Sequence, residues 1–143
     1  NLGWPIIDEN TILEIPALDR YANDQRSNIQ EFDKFTTPVK NAKEEVFLHH
    51  RDLSVIDSVK IRNEALGLEL ILRVESATLP FIFQWKMLAD QSYVLGIEPA
   101  NYPVITGRAD ALESGVVPVL NPGESVDYLI ELEFRRFPVA STL

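Results

Sequence analysis

The chain of 143 residues has no cysteine and a formal net charge of −9. That excludes a disulfide framework and a thiolate zinc site, and it argues against a phosphate-backbone partner. Hydrophobic residues make up 45% and charged residues 24%, so the composition is that of a folded globular chain, read as a single domain over 1–143. No apolar run approaches the roughly 20 residues of a membrane helix. The opening "NLGWPII" lacks the basic and apolar regions of a signal peptide. Absence of cysteine fits a reducing compartment, so the expected location is cytoplasmic. A chain that opens on Asn1 is expected to be processed or to be part of a longer one.

In chain order, "NLGWPII" reads as a turn entering an extended segment. Ile12, Leu13 and Ile15 suggest a strand that Pro16 ends. Residues 17–43 are polar and lack a strand period, so they read as an irregular excursion with at most one helical turn, although Ile29, Phe32 and Phe35 could share a helical face. From Glu45 the pattern turns regularly β. "EVFLHH" is a short strand. In "LSVIDSVKIRN", Val55, Val59 and Ile61 face one way and Ser58, Lys60 and Arg62 the other. The turn "EALG" leads into "LGLELILRVES", where Leu66, Leu68, Leu70, Leu72 and Val74 form one face. "LPFIFQWKML" and "YVLGIEP" follow as aromatic-rich central strands. After "GVVPVL" and the turn "NPGES" comes a last strand in which Val126, Tyr128, Ile130, Leu132 and Phe134 share a face. The fold class is therefore all-β, an antiparallel sandwich or barrel. The Leu66–Val74 and Val126–Phe134 rows are expected to supply much of its core.

Three stretches could carry chemistry. Glu98 ends an apolar strand just before a proline-containing loop, where partial desolvation would make a carboxylate a better base. Spacing alone equally leaves it a solvated rim residue or the ion-pair partner of Arg108. In "FQWKM", alternation puts Gln84 and Lys86 on one face and Trp85 on the other. Amide and ammonium suit hydroxyl recognition and the indole suits the C–H face of a sugar ring; the plainer reading is a core Trp85 and a solvated Lys86. His49 and His50 are the only histidines, and adjacent strand residues point to opposite faces, which argues against a two-histidine metal site. Either one could contact a ligand, shuttle protons or be structural. No zinc-protease, phosphate-loop or nucleophile-elbow motif is present.

"FQWKMLADQSYVLGIEPANYPVITGR", followed by "LNPGES" and an alternating final strand, resembles the C-terminal part of the galactose mutarotase-like superfamily, in its aldose 1-epimerase-related branch. "NLGWPII" and "EEVFLHH" are similar to earlier landmarks of that branch, and residues 17–43 lie outside the likeness. The resemblance implies a large β-sandwich, of which this chain is the C-terminal half, that binds a small-molecule sugar in an open cleft. Glu98 would take the proton of the anomeric hydroxyl, with Lys86, Trp85, Gln84, His50 and Asn101 as candidate substrate contacts. It implies no cofactor, no metal, and neither a nucleic-acid nor a membrane partner. Proteins of the branch run to about twice this length, about two domains' worth, and place a histidine just before the position of Asn1. The expected function is therefore carbohydrate binding, with interconversion of sugar anomers in the longer protein and little activity in this chain alone. The alternative is a non-catalytic carbohydrate-binding or sensing domain. Half of a large sandwich also exposes an edge and an apolar face, so a homo-oligomer is expected.

Overall fold

A computed structural model describes residues 2–22, 27–52 and 58–139. It contains eight strands: β1 (Thr11–Glu14), β2 (Asp19–Ala22), β3 (Glu45–His50), β4 (Ser58–Asn63), β5 (Leu68–Val74), β6 (Phe81–Ala89), β7 (Ser92–Ala100) and β8 (Ile130–Arg136). They form two four-stranded antiparallel sheets, ordered β1-β4-β5-β8 and β2-β3-β6-β7. The fold class is the all-β antiparallel sandwich that alternation implied.

The core lies between the sheets. Leu13, Val59, Ile61, Leu72 and Val74 of the first sheet meet Ile82 and Leu95 of the second, with Ile7, Ile15, Phe35 and Leu79 closing the ends. Val59 and Ile61 share the inward face of β4 as expected; Val55 lies outside the described residues. The turn after β4 depends on Gly67, whose φ of +61° is a left-handed conformation and whose absent side chain leaves room for the Phe137 carbonyl.

Three expectations are corrected. The Val126–Phe134 row is not core. Its strand starts only at Ile130, and β8 sits at the sheet edge, beyond the cover of the second sheet, so Leu132 and Phe134 are 58% and 72% exposed. Leu66 lies in the turn and is exposed, so the buried part of the β5 row is Leu72 and Val74. Finally, a short helix, α1 (Arg108–Glu113), follows β7 where no helical period was legible, with only Ala111 buried.

The described residues of 17–43 include β2 and a 3-10 turn, Ile29–Glu31, capped by the Asn28 side chain accepting from the Gln30 N–H. The segment around this turn crosses the inner face of the second sheet as a strap. Ser27 Oγ accepts from the Val46 N–H at 2.9 Å, and Phe32 and Phe35 pack on the core.

Candidate functional site

The β3–β6–β7 register assigns the candidate residues to faces. Three rows cross the outer face of the second sheet: Val46–Trp85–Gly96, Leu48–Phe83–Glu98 and His50–Phe81–Ala100. Tyr21 and Asp19 of β2 extend the second and third rows. The alternate residues turn inward: Glu45–Lys86–Leu95, Phe47–Gln84–Ile97 and His49–Ile82–Pro99.

Glu98 stands on the outer face with its side chain exposed, opposite Phe83 and diagonal to Trp85. No hydrogen bond or ion pair holds it among the described residues, and Arg108 does not pair with it. The partial desolvation expected from its apolar neighbours is absent, because a strand end one residue before Pro99 leaves the carboxylate in solvent. The imidazole of His50 shares this face and stacks on Phe81, with ring centroids 5.0 Å apart and planes 28° from parallel. Trp85 is half-buried, and its indole N–H donates to Glu44 Oε2 at 3.3 Å. Asn101, just past β7, donates from Nδ2 to the Tyr128 hydroxyl at 2.8 Å. This side of the sheet is an aromatic row, Phe81, Phe83 and Trp85, flanked by the His50 imidazole and by two exposed carboxylates, Glu98 and, paired with His50 in register, Asp19.

Gln84 and Lys86 are not brought to Glu98; alternation carries them to the opposite face. Lys86 is 2% exposed. Its ammonium pairs with Glu45 Oε2 at 2.9 Å and donates to the Glu31 carbonyl at 2.6 Å and the Lys34 carbonyl at 3.3 Å. Gln84 donates from Nε2 to the Phe32 carbonyl at 2.6 Å and faces His49 Nε2 through Oε1 at 3.0 Å. That amide orientation makes Nε2 the protonated nitrogen of His49. His49 Nδ1 and Arg20 Nε, on paired residues of β3 and β2, are buried without a partner. Burial, and secondarily the nearby Arg20 charge, outweigh the Gln84 hydrogen bond and bring the His49 pKa down to about 4, so the ring is neutral. The question of which histidine accompanies Glu98 is thus decided by strand parity: His50 does, and His49 belongs to the strap. Sequence reading missed two outer-face contacts, Phe81 beneath His50 and Glu44 on Trp85. The period-two pattern of β6 carried a signal for the first and none for the second.

Among the described residues no cluster of three or more His, Asp or Glu could hold a metal ion, and no helix is long and apolar enough to cross a membrane. The architecture is similar to the crystal structure of a "putative aldose 1-epimerase" from Klebsiella pneumoniae subsp. pneumoniae, with a TM-score of 0.74 and 23% identity. The match covers 94% of this chain and 36% of that one, so this chain spans little more than a third of the other's length. A likeness at this identity establishes the fold alone, a sandwich of two antiparallel β-sheets. The chain belongs to the family described as a domain of unknown function (DUF4432), whose model matches residues 1–134. No curated protein matches the sequence.

Proposed function

We propose that the outer face of the second sheet is a sugar-binding surface, and that Glu98 is the proton-abstracting base of an aldose 1-epimerase-like reaction carried by the longer protein. The observation that carries this reading is the exposed Glu98 carboxylate. It has no partner among the described residues and lies on the same face as Trp85 and His50. Phe81 and Trp85 offer flat apolar contact to a sugar ring, and Glu98 and His50 offer a carboxylate and an imidazole as hydrogen-bond partners to its hydroxyls. Glu98 takes the proton of the anomeric hydroxyl while an acid of the longer protein gives one to the ring oxygen, and the bond between the anomeric carbon and the ring oxygen breaks to leave an open-chain aldehyde. Reclosure on the other side of the carbonyl gives the opposite anomer. A base on a strand end is held by the sheet while the loop after it leaves room for a ligand. Asn101 begins that loop and is a candidate contact. Gln84 and Lys86 act instead on the strap that backs β6.

The exposure of Glu98 favours a second reading, a surface that binds sugar without catalysing its isomerisation. One experiment separates the two. Anomer exchange of freshly dissolved α-glucose and α-galactose is followed by polarimetry, with sugar binding measured in parallel by titration, for wild type and Glu98→Gln. Saturable binding with exchange that Glu98→Gln slows by about 10²-fold or more supports the base. Binding without accelerated exchange supports the second reading. Absence of binding removes both.

A further inference from the structure

We propose that β8 is a self-association edge, through which two copies of this chain pair antiparallel about a two-fold axis at Glu133. β8 ends the first sheet, and among the described residues no strand lies on its outer side. An unpaired edge presents a row of free backbone donors and acceptors to any strand of suitable pattern. The inward row of β8 is apolar and uncovered: Ile130 is 49% exposed, Leu132 58% and Phe134 72%. Beside it lies a groove of about 460 Å³, lined by Leu2, Ile6, Leu70 and Phe134 among others. The outward row is charged. Arg73 of β5 bridges Glu131 and Glu133, the latter at 2.8 Å, and Arg135 holds Glu133 at 2.6 Å.

Glu131 and Arg135 already have partners in their own chain, so a matching strand must avoid setting like charges against them and must set apolar groups against Leu132 and Phe134. β8 itself meets this requirement when read in the opposite direction. Centred on Glu133, the register sets Glu131 opposite Arg135 of the second copy and Leu132 opposite its Phe134, each pair occurring twice. All seven residues from Ile130 to Arg136 are then paired, with Ile130 against Arg136 of the second copy at each end. The like-charged pair at the axis is tempered, because each Glu133 is already held by Arg73 and Arg135 of its own chain. Shifting the centre to Leu132 would place Glu131 against Glu133 twice. Shifting it to Phe134 would leave Ile130 and Glu131 outside the ladder. The chosen register continues the antiparallel order into one eight-stranded sheet. It brings Leu132 and Ile130 of the second copy toward the rim of the apolar groove.

The test uses the absence of cysteine from the chain. Light scattering across a concentration series is expected to show a dimer for residues 1–143. Under mild oxidation Glu133→Cys is expected to form a covalent dimer, since a residue on the axis faces its own copy at about the 5.5 Å Cα separation a disulfide requires. Glu131→Cys is expected not to crosslink, because four residues of strand offset put its two copies far beyond that reach. Leu132→Lys, at an exposed position where folding is little affected, should weaken association about tenfold or more. A wild-type monomer overturns the proposal, as do aggregates of no fixed size, equal crosslinking at 131 and 133, or a dimer indifferent to Leu132→Lys.

Discussion

Replacing Lys86 by methionine should damage the fold rather than only a ligand contact. The side chain is 2% exposed, and its ammonium has three acceptors: Glu45 Oε2 at 2.9 Å, the Glu31 carbonyl at 2.6 Å and the Lys34 carbonyl at 3.3 Å. An ammonium has three N–H donors, so all are used. Methionine fills the stem's volume and stays near the Phe47 ring that Lys86 Nζ approaches at 5.4 Å. It leaves the Glu45 carboxylate, whose side chain is only 20% exposed, without its cation; the Lys34 carbonyl loses this donor, while the Glu31 carbonyl keeps the Lys34 N–H at 3.0 Å. Breaking a buried ion pair from one side costs about 3–5 kcal/mol. Glu45 keeps some solvent contact, which puts the expected loss near the lower end, about 3 kcal/mol. A domain of this size has roughly 0.05–0.15 kcal/mol of stability per residue, so the change is large but survivable. Urea denaturation followed by tryptophan fluorescence measures it, and amide exchange should show faster exchange at 28–36 than in wild type. Adding Glu45→Leu should recover part of the loss, because the stranded carboxylate goes with its partner. A single variant within about 1 kcal/mol of wild type, with unchanged exchange in the strap, would refute the reasoning.

Three further outcomes follow from the same geometry. His49 is neutral in the fold, with its pKa lowered from 6.5 to about 4. Its contribution is therefore complete above pH 6.5 and is lost as pH falls toward 4; the unfolding free energy from urea titration should drop by up to about 1.4 kcal/mol per pH unit in that window, and His49→Gln should flatten the slope. Gly67→Ala forces a side chain into φ +61° and against the Phe137 carbonyl, so thermal unfolding should show a loss of at least about 1–2 kcal/mol. Glu98→Gln changes an exposed, unpaired side chain, so its stability should stay within about 0.5 kcal/mol of wild type while the sugar-dependent signal changes; a large loss of stability would mean that Glu98 supports the fold.

Strand identity was legible wherever one face was buried. In β4 the inward Val59 and Ile61 alternate with Ser58, Lys60 and Arg62, and the structure keeps that parity. Hydrophobic pattern failed in β8, because Ile130, Leu132 and Phe134 carry the signature of a core row and are exposed among the described residues. Periodicity reports which residues share a face, not whether a second layer reaches it. The site was legible in part for the same reason. Parity placed Trp85 opposite in sense to Gln84 and Lys86, and cross-strand register, which no single strand encodes, was needed to put Glu98 on the Trp85 side. The burial of Lys86 could not be read locally either, since its acceptors lie 52 and 55 residues away in the strap. α1 has six residues with one buried position, too few turns to leave a helical period.

The two faces of β6 are mechanically linked, and this gives the strap a part in whatever the outer face does. Phe81, Phe83 and Trp85 point outward, while Ile82, Gln84 and Lys86 alternate with them and point inward. Gln84 and Lys86 tie three strap carbonyls to the strand, and Lys86 ties β6 to β3 through Glu45. A side chain on a pleated strand is only as fixed as its backbone, and here the backbone between successive outward aromatics is fixed by buried polar contacts on the other side. A satisfied polar network is directional in a way that apolar packing is not. Register between β3 and β6 is therefore set by Glu45–Lys86 as well as by hydrophobic parity, and a slip of one residue would both bury Trp85 and expose Lys86. That register places His50 over Phe81 and, through β7, Glu98 beside Phe83 and diagonal to Trp85. The buried lysine, although it faces away from Glu98, is thus one of the residues on which the geometry around Glu98 depends.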